Sequence, residues 1–162
     1  MTAGRKPSMS AQARPRRSAG LHGTGMTLRI LTAGALFIDA AVHLHLAPVY
    51  QAGNPAGIGQ GNLFLLEAAA AVLAGLFVLL RGSRVAYGVA FLVALSAFIA
   101  VVLYRYVDIP AFGPFPAMYE PVWFFEKTVS AVAEGAGAVL AAVGFARAAR
   151  RTSRRRTTGS PA

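Results

Sequence analysis

The sequence predicts an all-α fold: a four-transmembrane-helix bundle flanked by disordered basic tails. Three observations predict it. The 162-residue chain is 56% hydrophobic and only 14% charged, against roughly 25% charged residues in soluble domains. Its apolar residues gather in four blocks, each close to the ~20 residues that a bilayer core requires. None of the blocks alternates as the strands of a membrane barrel do. The charges are also segregated. Twelve of the sixteen Lys and Arg residues lie before residue 30 or after residue 146, and all six acids lie between Asp39 and Glu134.

Residues 1–26 contain Gly, Ser, Pro and Arg, with no acid and no apolar periodicity. Such a segment cannot bury enough apolar surface to order itself and is expected to be a disordered basic tail. Arg16-Arg17 is not read as an export signal, because the apolar block that follows is too long and no small-residue cleavage site is evident. Met26 opens the hydrophobic part directly and is an alternative start to Met1. The membrane domain is residues 27–147, with spans at 30–49, 63–80, 85–103 and 122–146. Residues 148–162 form a second disordered basic tail. The length allows a single domain, and the absence of cysteine excludes disulfides, thiolate metal sites and cysteine catalysis.

Orientation follows from the short connections, because Lys and Arg flank membrane helices on the cytoplasmic side. Arg5, Lys6, Arg14, Arg16, Arg17 and Arg29 lie before the first span. Arg81 and Arg84 lie between the second and third. Arg147, Arg150, Arg151, Arg154, Arg155 and Arg156 follow the fourth. With four spans, all three clusters fall on one face. The expectation is a multi-pass cell-membrane protein with both termini cytoplasmic and the connections at 50–61 and 108–120 facing outward. The net charge of +10 therefore belongs to the tails. Tails of this kind suit anionic lipid headgroups, at ~1 kcal/mol per Lys or Arg near the surface, rather than nucleic acid. The Pro- and aromatic-rich segment 108–121 reads as a lid or as an interfacial anchor.

The second and fourth spans begin alike: Leu63-Phe64-Leu65-Leu66-Glu67 against Val122-Trp123-Phe124-Phe125-Glu126. This suggests two parallel helical-hairpin repeats and predicts that Glu67 and Glu126 sit at equal depth on opposite sides of an axis.

Ionisable groups within these spans are the candidate site. A charge at the centre of a span costs about 2.5–3.5 kcal/mol on insertion scales, so such groups have partners or line a polar cavity. His43, Glu67, Arg105, Glu126 and Lys127 converge on the outer third, while Asp39 and Glu134 lie deeper. Asp39 and His43 are four residues apart and share a helix face. Lys127, Ser130 and Glu134 share another, with Lys127 and Glu134 a candidate ion pair. His43, Glu67 and Glu126 are the candidate metal ligands.

The expected function is binding or conduction of a proton, cation or small polar ligand at this outward-facing His/Glu site. A quinone- or metal-binding redox protein and a non-catalytic scaffold or accessory subunit, alone, as a homo-oligomer or in a larger membrane complex, are the alternatives. No nucleophile–base pair or phosphate-binding glycine loop is readable, so catalysis is not expected. In span number and size, residues 27–147 resemble uncharacterised four-helix bacterial membrane proteins of the DoxX-like group, a likeness of architecture that assigns no residue a role.

Overall fold

A computed structural model describes residues 19–51, 58–113 and 115–157. Four helices account for most of it: α1 (Ala19–Gln51), α2 (Gln60–Arg81), α3 (Arg84–Tyr106) and α4 (Phe125–Thr157). All four are long and apolar enough to cross a membrane, and the chain is an all-α, multi-pass membrane bundle. Each helix packs on its neighbours in sequence, and α4 closes the ring onto α1.

The boundaries have local causes. Helix α2 ends at Gly82, which takes the left-handed conformation (φ 52°) and donates its N–H to Val78 O at 2.9 Å. Glycine adopts that conformation without steric penalty. Ser83 then caps α3 by accepting from the Ala86 N–H at 3.2 Å, which satisfies one of the free donors of a helix start. The two-residue turn makes α2 and α3 antiparallel neighbours.

The outer helices differ from expectation at both ends. The helical part of α1 begins at Ala19 and that of α4 continues to Thr157, so residues 19–26 and 148–157 fall within helices where the sequence suggested tails. Once nucleated in the packed bundle, a helix propagates through good formers such as Ala and Arg. Residues 1–18, 52–57, 114 and 158–162, including the basic N-terminal segment and Pro55, lie outside the described residues. The fourth helix starts at Phe125 rather than at residue 122. Residues 107–124 instead fold back through isolated antiparallel bridges, Ile109 to Met118 and Phe112 to Phe115, with Gly113 at φ 55° in the turn. The returning strand is fixed by the Glu120 N–H donating to Tyr104 O at 2.9 Å.

This late start puts the two matched segments in different settings. Leu63–Glu67 lie wholly inside α2, whereas 122–124 precede α4. Glu67 is therefore in the second turn of its helix and Glu126 in the first turn of its own.

The core is built of small residues. Ala33, Ala40, Ala68, Ala71, Ala74, Ala86, Ala90, Ala94 and Ala141 are buried, and they let the backbones approach closely, as membrane helices do. A Cβ on Gly75 would lie 2.6 Å from Phe37 Cε1, so only glycine admits that ring. The large apolar side chains point the other way. Leu66, Leu73 and Leu80 are 67–77% exposed and seven residues apart, a stripe along the outside of α2 suited to lipid tails.

Candidate functional site

Asp39, Lys127, Ser130 and Glu134 are buried in the half of the bundle nearest the 107–124 segment. At the end bearing the 107–124 segment, a cavity of about 330 Å³ opens between all four helices. That volume is within the usual range for small-molecule sites. Its walls are largely apolar, with Val42 and Leu46 from α1, Leu63 and Phe64 from α2, Ala100 and Val101 from α3, and Phe124 before α4. Met118 and Glu120 contribute from the folded-back segment.

The floor is polar and is built from two helices. On α1, Asp39 and His43 are one helical turn apart, and His43 Nδ1 lies 3.0 Å from Asp39 Oδ1 and 3.1 Å from the Asp39 carbonyl. On α4, Ser130 and Glu134 repeat that spacing. Ser130 Oγ lies 2.8 Å from Asp39 Oδ1 and 2.9 Å from Glu134 Oε1, joining the two helices. Asp39 and Glu134 are buried, at 1% and 2% exposure. The edge of the His43 ring stands on Phe64, centroids 5.2 Å apart.

The hydrogen-bond count at this floor does not close. A serine hydroxyl owns one proton and serves one carboxylate at a time, yet two lie within reach. Asp39 Oδ2 and Glu134 Oε2 have no partner at all, and neither has Glu67 Oε1 on the cavity wall. Buried oxygens are rarely left so. Around the cavity stand the carboxyls of Glu67, Glu120 and Glu134, with Asp39 beneath, against one ammonium, Lys127, and the imidazole of His43.

The sequence-predicted residues divide accordingly. Asp39, His43, Glu67, Lys127 and Glu134 are brought together. The expected Lys127–Glu134 ion pair is not formed. Lys127 Nζ turns up the helix to donate to the Glu120 carbonyl and lies 5.6 Å from the centre of the Trp123 ring. Glu126 is half-buried and outside the cavity lining, so it does not join His43 and Glu67 in a metal set. It is turned about 100° around the helix from Lys127, and the late start of α4 leaves it at the helix entrance. Arg105 is also outside the lining; its guanidinium lies 5.1 Å from the centre of the Tyr106 ring, and its Nε is buried without a hydrogen bond. His45 is exposed.

Sequence reasoning missed Tyr50 and Glu120, whose side chains meet at 2.7 Å, and the bridging role of Ser130. The i, i+4 spacing of Ser130 and Glu134 on the Lys127 face was the available signal for the latter.

The fold and site together define a four-helix membrane bundle with a cavity, apolar in its walls and polar at its floor, at the end bearing the 107–124 segment. Comparison of the chain with protein-family models, with curated proteins and with solved structures found no match.

Proposed function

We propose that this chain is a cell-membrane binding protein whose cavity opens to the outside and takes a proton, a small cation or a small cation-bearing polar ligand. The observation that carries the reading is the pair Asp39–Glu134, two buried carboxyls that share a single hydroxyl proton and each keep one oxygen unpartnered. Burying a charge without compensation is expensive, and an occupant with positive charge or donor hydrogens removes the deficit. The outward orientation rests on the arginines. Arg29, Arg81, Arg84, Arg147, Arg150 and Arg151 are at the opposite end from the cavity, and that end is cytoplasmic by the positive-inside rule. Arg29, Arg147, Arg150 and Arg151 also line a cleft with Tyr87 there, suited to anionic lipid headgroups.

The test is a ligand screen on purified protein, read by thermal stability, with wild type beside Glu67→Gln and Glu134→Gln. A ligand that stabilises wild type and neither variant supports the reading. If no cationic or polar ligand separates wild type from both variants, the polar cluster is structural and the protein is a scaffold or accessory subunit. A second reading, a quinone-binding redox protein, is favoured by the apolar walls above the His43–Asp39 pair. Co-purification of a quinone would establish it.

A further inference from the structure

The cavity reading leaves the nature of the cation open, and the geometry of the floor narrows it. Resting on that reading, we propose that Asp39, His43 and Glu134 form a site for one divalent first-row transition ion, such as Zn²⁺, Mn²⁺ or Fe²⁺.

Each of the three residues offers a ligand atom, and these atoms lie within 4.8 Å of one another. Metal–ligand bonds of roughly 2.1 Å place two donors at a right angle about 3.0 Å apart. His43 Nδ1 and Asp39 Oδ1 are 3.0 Å apart. An ion there takes the place of the proton on His43 Nδ1, which then no longer donates to the Asp39 carbonyl. Rotation of the Glu134 carboxyl about its terminal torsion, which is broad, brings the third ligand in.

The donor set selects the class of ion. One imidazole nitrogen with two carboxylates suits zinc, manganese or ferrous iron. An all-oxygen shell would suit magnesium or calcium, and thiolates or thioethers would suit cuprous copper. The charges agree as well. Two carboxylates and a neutral imidazole sum to −2, which a divalent ion balances and a single proton does not. Ligation by Glu134 also uses an oxygen the floor leaves over, Oε2, unpartnered on a nearly fully buried side chain.

The surroundings complete the arrangement. Ser130 touches both carboxylates from α4, the kind of support that orients metal ligands. Phe64 fixes the His43 ring. Glu67, with its own unpartnered oxygen on the cavity wall, stands on the path an ion takes from the mouth. Ser130 and Glu67 are positioning and entry residues here, not ligands.

The experiment uses the full chain in detergent or nanodiscs, stripped with a chelator and titrated with Co²⁺ and then Zn²⁺. The expected result is one Co²⁺ per chain with visible absorption from an asymmetric nitrogen–oxygen shell, displaced by Zn²⁺ and not by Mg²⁺. Asp39→Asn, His43→Gln and Glu134→Gln each lower affinity by about tenfold or more, the scale seen even for residues that only support ligands. Glu126→Gln, the same charge change outside the cavity, binds as wild type does. Absence of stoichiometric Co²⁺, or unchanged affinity in the three folded variants, overturns the proposal. Should those variants not fold, nitrogen NMR of histidine-labelled wild type decides, since Zn²⁺ must shift one imidazole of the three in the chain. The same samples are probed with guanidinium and methylammonium. If these bind in a Glu134-dependent way and Co²⁺ does not, the metal site is rejected and the cavity reading stands. If no probe binds, both fail.

Discussion

The hydroxyl of Tyr50 donates a 2.7 Å hydrogen bond to Oε2 of Glu120, across seventy residues of chain. It joins the end of α1 to the strand that returns to α4. Glu120 is held at three points. Its side chain accepts from Tyr50, its N–H donates to Tyr104 O and its carbonyl accepts from Lys127. The folded-back segment over the cavity is thus pinned to α1, α3 and α4 through one residue.

Tyr50→Phe should therefore loosen the segment while leaving the helices intact. A hydrogen bond to a charged group contributes about 1.5–3 kcal/mol when well shielded, and the half-buried position of Tyr50 puts the expected loss nearer 1 kcal/mol. Hydrogen exchange should speed up across 109–118 and stay unchanged in α2. Unchanged exchange at 109–118 would show that the other two contacts of Glu120 suffice.

Glu134→Gln should raise the melting temperature in chelated, cation-free buffer. The substitution keeps volume and Ser130 as a partner, and puts an uncharged amide in place of a buried carboxyl that lies close to Asp39. Replacing buried charge by a well-packed neutral group is worth about 1–4 kcal/mol in favourable cases. The variant should at the same time lose any stabilisation by added cation. A fall in melting temperature without cation would mean that the carboxylate is already compensated.

Gly75→Ala should destabilise, because its Cβ falls on the Phe37 ring and overpacking of this kind costs about 1–3 kcal/mol. The double variant Gly75→Ala with Phe37→Leu should recover part of the loss. Gly34→Ala, where a Cβ meets nothing within 4 Å, should be close to neutral or slightly stabilising. Melting curves in one detergent compare all three.

The orientation is open to a direct test because the chain has no cysteine. A single cysteine at Gly113 should react with a membrane-impermeant maleimide in intact cells. One at Ser83, in the turn between α2 and α3, should react only after permeabilisation. The opposite pattern would invert the protein and place the cavity mouth on the cytoplasmic face.

The bundle was legible because span length, apolar content and the Arg81-Gly82-Ser83-Arg84 turn each depend on local sequence. Half of the floor was legible for the same reason: Asp39 and His43, like Ser130 and Glu134, are joined by the helix repeat itself. What was not legible depends on where helices start and how they face one another. The similarity of 63–67 to 122–126 suggested paired glutamates, but the returning strand, fixed at Glu120, delays α4 until Phe125 and leaves Glu126 at its entrance. The same strand supplies the carbonyl that draws Lys127 away from Glu134. No periodicity in the sequence reports a backbone oxygen arriving from another segment.

The one-sided cavity has an electrical consequence. Glu134 lies nine residues into α4, roughly 13 Å along the helix axis, and the half beyond is packed largely with alanine. A cation that reaches the floor has entered the transmembrane field and stopped partway. For a divalent ion at mid-depth that is roughly 2 kcal/mol per 100 mV, from ~2.3 kcal/mol for one charge crossing fully. If the mouth faces outward and an ion binds as proposed, a negative interior would drive it into the site and depolarisation would release it. Occupancy would then follow membrane voltage as well as concentration.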